Sequence, residues 1–155
     1  MKKPTWDEYF LSIVDVVATR ATCDRGKSGC VIVKDNRILS TGYVGAPSGL
    51  PECDEVGHLL REVKYEDDKL RQHCVRTLHA EQNAIIYAAR YGVPIAGAVL
   101  YCTMCPCYSC AMMIAAAGIT KVVAKNNYQA STDAVTIFKK ARVELVIMNS
   151  HSPKY

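Results

Sequence analysis

From Thr5 to Arg20 the apolar side chains Phe10, Ile13, Val14, Val17 and Ala18 recur three and four residues apart, the period of a helix with one buried face. Thr5 is placed to cap it, and Glu8 three residues on completes the pattern of a capping box. CVIVKD (30–35) and RILSTGYVG (37–45) are runs of strand-forming residues around an Asp35-Asn36 turn, which predicts a hairpin. Further on, HAEQNAIIYAARYG (79–92) is a strong helix former stopped by Gly92 and Pro94. A strand over 98–103, a helix over 107–118 ending at Gly118, a strand over 121–125, a helix over 131–141 and a strand over 143–148 follow. The order α-β-β-α-β-α-β-α-β predicts an α/β fold, a three-layer α-β-α domain with a mixed central sheet of about five strands.

The periodicity fails in one place. GAPSGLPECDEVG (45–57) opens a polar stretch running to about residue 76, too long for an ordinary connection and carrying Cys53, His58, His73 and Cys74. Connections of that length are functional or are held by something. With 155 residues the chain is expected to be one domain, 1–155, carrying this insertion at about 45–76.

Half of the residues are apolar and 22% are charged, which excludes a disordered chain. No stretch reaches the roughly 18 apolar residues of a membrane span, and MKKPTWDEYF does not read as a secretory leader. A cytoplasmic location is therefore expected, and there eight cysteines are thiols or metal ligands sooner than disulfides. The net charge of +4, from 19 basic and 15 acidic residues, suits an anionic small molecule but gives no long basic footprint for nucleic acid.

His79 and Glu81 lie two residues apart at the start of a predicted helix, where unpaired backbone N–H groups also point. Pro106 precedes Cys107 and Cys110, which stand three apart on one face of the next helix. One imidazole and two thiolates make a three-ligand site for Zn2+ with a fourth position open, the arrangement of a catalytic zinc centre. Cys105, in the turn before the helix, is expected to pack or to stand just behind the ligands without binding the metal, and Cys102, on the strand, to be a small buried side chain.

The H-x-E and P-C-x-x-C motifs are those of the zinc-dependent cytidine and nucleotide deaminases, and over nearly its whole length the chain resembles the deoxycytidylate (dCMP) deaminases of bacteria and phages. The resemblance rests on CDRGKSGCVIVKDNRILSTGY, the Cys- and His-bearing insertion, HAEQNAIIYAARYG, and Tyr101 and Thr103 before PCYSC. It implies hydrolysis of dCMP to dUMP and ammonia, supplying dUMP for dTMP synthesis, with Glu81 as the proton shuttle. It also implies a homohexamer, activation by dCTP and inhibition by dTTP, with Mg2+ accompanying the effector, and no stable nucleic-acid complex. Ala80 and Tyr128 match substrate-contacting positions and Arg90 an allosteric and subunit-contact one. An ordinary loop tyrosine and a helix C-terminal charge are the plainer alternatives for Tyr128 and Arg90.

Arg25 and Lys27 can meet a 5′-phosphate or be solvated charges. Val44 departs from the family, whose GYNG carries an asparagine expected to touch the nucleotide; valine has no donor or acceptor. That leaves dCTP or a modified deoxycytidylate as alternative substrates, while a tRNA adenosine deaminase fits the insertion and Arg90 less well. Related bacterial enzymes carry C-x4-C where this chain has Cys53-x4-His58. A second, structural zinc is expected from Cys53, His58, Cys74 and either Cys23 or His73, the plainer alternative being partly buried residues of a long loop. Outside enzymes, the competing class is a zinc-stabilised nucleic-acid-binding module, which would need a closed four-ligand site.

Overall fold

The computed structural model describes residues 1–64, 68–128 and 131–150. Helix α1 (Trp6–Ala18) starts at Thr5, whose Oγ1 accepts from the Glu8 N–H at 3.2 Å while the Glu8 carboxylate accepts from the Thr5 N–H at 2.7 Å. Strands β1 (Gly29–Lys34) and β2 (Arg37–Tyr43) pair antiparallel. Their turn holds Asp35 and Asn36 at φ of 51° and 57°, the left-handed pair that a two-residue hairpin needs. Helix α2 (Cys53–Val56), strands β3 (Leu60–Lys64) and β4 (Leu70–Cys74), helix α3 (Ala80–Arg90), strand β5 (Val99–Met104), helix α4 (Tyr108–Ala116), strand β6 (Lys121–Asn126), helix α5 (Thr132–Ala141) and strand β7 (Glu144–Asn149) complete the order.

Five strands form a mixed sheet in the order β2-β1-β5-β6-β7. β1 is antiparallel to β2 and β5; β5, β6 and β7 run parallel, joined by the crossover helices α4 and α5. Strand alternation assigns each side chain a layer. Val31, Val33, Tyr101 and Val123 point to the face covered by Phe10, Leu11 and Val14 of α1. Cys30, Ile32, Leu100, Cys102, Val122 and Ala124 point to the other, under Ala80, Ala84 and Ala88 of α3, Ile114 of α4 and Phe138 of α5. The expected three-layer mixed sheet is thus present, with one helix on one face and three on the other.

The insertion contains more regular structure than its sequence pattern suggests. β3 and β4 pair antiparallel from Leu60 with Cys74 to Lys64 with Leu70, apart from the main sheet. Every β3 residue is exposed, so the hairpin has no apolar face to print a period-two pattern on the sequence. Residues 65–67 of the insertion lie outside the described residues.

Candidate metal and active site

Two helix N-termini meet above the three-helix face of the sheet. His79 caps α3 and Cys107 caps α4, each with extended backbone, and Cys110 follows on the first turn of α4. The Gln82 carboxamide accepts from the His79 N–H at 2.9 Å and fixes the start of α3. The His79 Nδ1 lies 3.5 Å from Cys107 Sγ and 3.4 Å from Cys110 Sγ. A tetrahedral zinc with Zn–S of about 2.3 Å and Zn–N of about 2.0–2.1 Å has N···S edges of about 3.5–3.6 Å, so the three side chains fit the ion.

Glu81 is buried, 8% exposed, with its carboxylate 3.8 Å from Cys110 Sγ. Burial raises its pKa above the usual carboxylate range. Cys107 is held at about 3: hydrogen bonding from Cys110 is the main cause, and His79 and Ser109 add to it against the cost of burial. Cys110 is pushed the other way, first by the Cys107 thiolate and then by burial. Burial works against protonation of His79, yet the Cys107 thiolate beside it outweighs burial and raises its pKa. Two sulfurs competing for one proton beside an imidazole are a donor set that a cation would complete.

The ligands open onto a cleft of about 920 Å3 lined by Arg25, Val44, His73, Ala80, Glu81 and Tyr128 among others. Val44 is one of the lining residues and has both backbone groups engaged. Its N–H donates to Ser28 O at 3.1 Å and its carbonyl accepts from the Thr22 N–H at 3.0 Å. Asn83, also buried, clamps the flanking residues by donating to Tyr43 O at 2.7 Å and Gly45 O at 3.3 Å. Lys27 is not brought to this cleft. A tight turn of 3-10 helix, Asp24–Gly26, rotates it away from Arg25 and into a smaller cavity beside Cys53, Asp54 and His58. Arg90 ends α3 away from the cleft, with its guanidinium 5.9 Å from the Tyr91 ring centre.

Cys23, Cys53, His58 and Cys74 form a second group whose ligand atoms lie within 4.8 Å of one another. Cys53 and Cys74 sulfurs are 3.5 Å apart and Cys23 Sγ is 3.6 Å from His58 Nδ1, again the edges of a zinc tetrahedron. Asp24 Oδ1 sits 3.0 Å from His58 Nε2 and orients the ring from behind. His73, the alternative to Cys23, is excluded from this group. It neighbours Cys74 on β4 and lines the cleft with its ring 5.6 Å from that of His79, while Cys74, which also borders the cleft, gives its sulfur to the second group. Cys102 and Cys105 are 1% and 2% exposed and join neither group of candidate ligands among the described residues; Cys102 is buried in the sheet, and Cys105 borders the cleft beside Cys107. Arg71, Gln72 and Asp133 also line the cleft and were not legible in the sequence; only the β4 alternation, itself hidden, marks the first.

Residues 4–126 match the family described as the cytidine and deoxycytidylate deaminase zinc-binding region. The chain belongs to the cytidine and deoxycytidylate deaminase family. The deaminase is 44% identical over 128 residues to the deoxycytidylate deaminase of Mycobacterium phage D29, covering 79% of this chain and 96% of that one. It is 36% identical over 143 residues to the deoxycytidylate deaminase of Schizosaccharomyces pombe, covering 92% of this chain but spanning only 44% of the yeast protein. Among solved structures, a dCMP deaminase from cyanophage S-TIM5 in complex with dCMP and dUMP superposes with a TM-score of 0.76 at 34% identity, over 96% of this deaminase and all of that chain. Among the described residues, no helix of the deaminase is long and apolar enough to cross a membrane.

Proposed function

We propose that this chain hydrolyses dCMP to dUMP and ammonia. The observation that carries the reading is the placement of Glu81, buried at the floor of the cleft against a three-ligand His79, Cys107 and Cys110 set that leaves a tetrahedral position open. Bound there, zinc supplies the Lewis acidity that makes hydroxide available near neutral pH. Glu81 takes the proton of the attacking water and delivers it to N3 of the cytosine, then takes the hydroxyl proton of the C4 adduct and passes it to the amino group, which departs as ammonia as the C4 carbonyl forms. Its burial suits the task, because raising the pKa of a carboxylate makes it a better proton acceptor than an ordinary exposed one. The first-turn N–H groups of α3, Ala80 among them, face the reacting end, while Val44 and Tyr128 flank the sugar and base.

A structural zinc on Cys23, Cys53, His58 and Cys74 pins the insertion to the rest of the chain as one domain. A homohexamer regulated by dCTP and dTTP, the effector carried with Mg2+, is supported by Arg90 standing among exposed Ile86, Tyr87 and Tyr91 on the outer side of α3. The cytoplasm is the compartment that suits eight free thiols.

The test is ammonia release from dCMP, dCTP, deoxycytidine and cytidine in parallel, with and without dCTP or dTTP as effector. Preference for dCMP is the expected result, and no turnover of any of the four would refute the reading. A preference for dCTP would establish the alternative that Val44 raises. Retention of duplex or single-stranded nucleic acid without turnover would point to the zinc-stabilised binding module.

A further inference from the structure

Residues 44–46 leave the end of β2 and join the two Cys and His groups without supplying a ligand to either. The Val44 carbonyl accepts from the Thr22 N–H at 3.0 Å, and Gly45 exchanges two backbone hydrogen bonds with Leu78, at 2.9 and 3.4 Å. The Ala46 N–H donates to Glu52 Oε2 at 2.7 Å, and the same oxygen accepts from the Thr22 hydroxyl at 2.5 Å. Glu52 is itself fixed at the start of α2, its N–H donating to Glu55 Oε2 at 3.0 Å. Thr22 and Glu52 immediately precede Cys23 and Cys53 of the second group, and Leu78 immediately precedes His79 of the first. From Cys23 and Cys53 to His79, every step is therefore a hydrogen bond or a single peptide link.

Resting on the reading that both groups hold zinc, we infer that Glu52 is a positioning residue for His79: its carboxylate fastens residues 44–46 to the second group, so that an ion bound there tightens the hold of the first group on its own. A carboxylate accepts from a hydroxyl and an N–H more strongly than a neutral oxygen does. Asn83 ties Gly45 to α3, the helix that His79 caps, so the segment and the ligand move together. Metal–ligand distances tolerate only about 0.2 Å. A small shift of Leu78 is then enough to loosen the first group.

The experiment compares the parent protein with His58→Ala, Glu52→Ala, their combination and Glu52→Gln, with zinc content and circular dichroism as checks. The affinity of the first group is read from dCMP turnover against buffered free zinc. It is read independently from the visible absorption of cobalt(II) added in place of zinc, whose bands differ between a two-thiolate and a three-thiolate site. His58→Ala is expected to weaken the first group by about three- to thirtyfold, the span of coupling through such a network. In the Glu52→Ala protein, already weakened by a similar factor, His58→Ala adds less than about twofold. Glu52→Gln, which keeps one acceptor oxygen, recovers part of the affinity. Should His58→Ala retain two ions or fail to fold, Cys74→Ser takes its place. Equal weakening by that substitution with and without Glu52, or none in either, overturns the role of Glu52 and leaves both zinc sites standing. A parent protein with one zinc per chain overturns the two-zinc reading and the inference with it.

Discussion

Gly42 sits on β2 directly under the first turns of α3, and replacing it with alanine tests whether the packing of that helix sets the metal geometry. A Cβ there falls 2.2 Å from Ala80 O, 2.4 Å from Ala84 N and 3.0 Å from Ala84 Cα, all backbone atoms of the helix that cannot rotate aside. Ordinary contact begins near 3.4 Å, so α3 must retreat by about 1.2 Å. His79 and Glu81 ride on that helix whereas Cys107 and Cys110 ride on α4, so the 3.4 and 3.5 Å separations that suit zinc would open. Metal–ligand distances tolerate only about 0.2 Å. Overpacking of this kind costs about 1–3 kcal/mol, a fall in Tm of about 3–10 °C for a chain of this size. A displacement near 1 Å costs about a hundredfold in rate.

Gly29→Ala is the control. Its Cβ meets Val14 O at 2.5 Å and Ala18 N at 2.8 Å, backbone atoms of α1 on the opposite face of the sheet. Both variants should lose stability, but Gly42→Ala should also lose zinc and kcat while Gly29→Ala loses far less of either. Zinc content by atomic absorption, thermal unfolding by circular dichroism and dCMP turnover decide it. A Gly42→Ala protein with parental zinc content and kcat, or equal losses in the two variants, would refute the reasoning.

Glu81→Gln should retain its zinc and lose at least about 10²–10⁴-fold in kcat, since the proton shuttle is gone and the ligands are not; ordinary turnover would remove Glu81 from the mechanism. Cys53→Ser should drop the zinc content from two ions per chain to one and destabilise the protein by more than about 4 kcal/mol, whereas one zinc per chain in fully active parental protein would dispose of the second site. Val44→Asn places a donor and acceptor where the backbone offers none, and should lower KM for dCMP by about three- to tenfold, the worth of one hydrogen bond; an unchanged or higher KM would show the sugar lies elsewhere. In protein stripped of metal, burial opposes ionisation of Cys74, but backbone hydrogen bonds at Arg76 and Leu59 hold it at about 7 against an ordinary value of 9.0. That contribution to stability is present above about pH 9 and is lost as pH falls through 7. Cys53, pushed up to about 12 chiefly by burial, acts in the opposite sense, its contribution being lost as pH rises from 9 towards 12. Urea midpoints of the chelated protein should therefore fall on both sides of a maximum near pH 9, and a flat profile would contradict the pairing.

The sequence by itself determined the elements of the main sheet and the identity of the reacting groups. Helix and strand periods are local, so Phe10 and Val14, or Val31 and Val33, declare their faces without reference to the rest of the chain. A Cys-x-x-Cys on one helical turn and a His-x-Glu at a helix start are likewise local arrangements. What joins them is not local: His79 and Cys107 are 28 residues apart, and only the packing of α3 and α4 on one face of the sheet brings Nδ1 within 3.5 Å of sulfur. That Cys74 joins the second metal group while its neighbour His73 does not was also a tertiary decision. Adjacent residues of a strand point to opposite sides, and the strand itself had left no hydrophobic trace, because an exposed hairpin is held by its cross-strand hydrogen bonds and its anchored ends instead of by an apolar face.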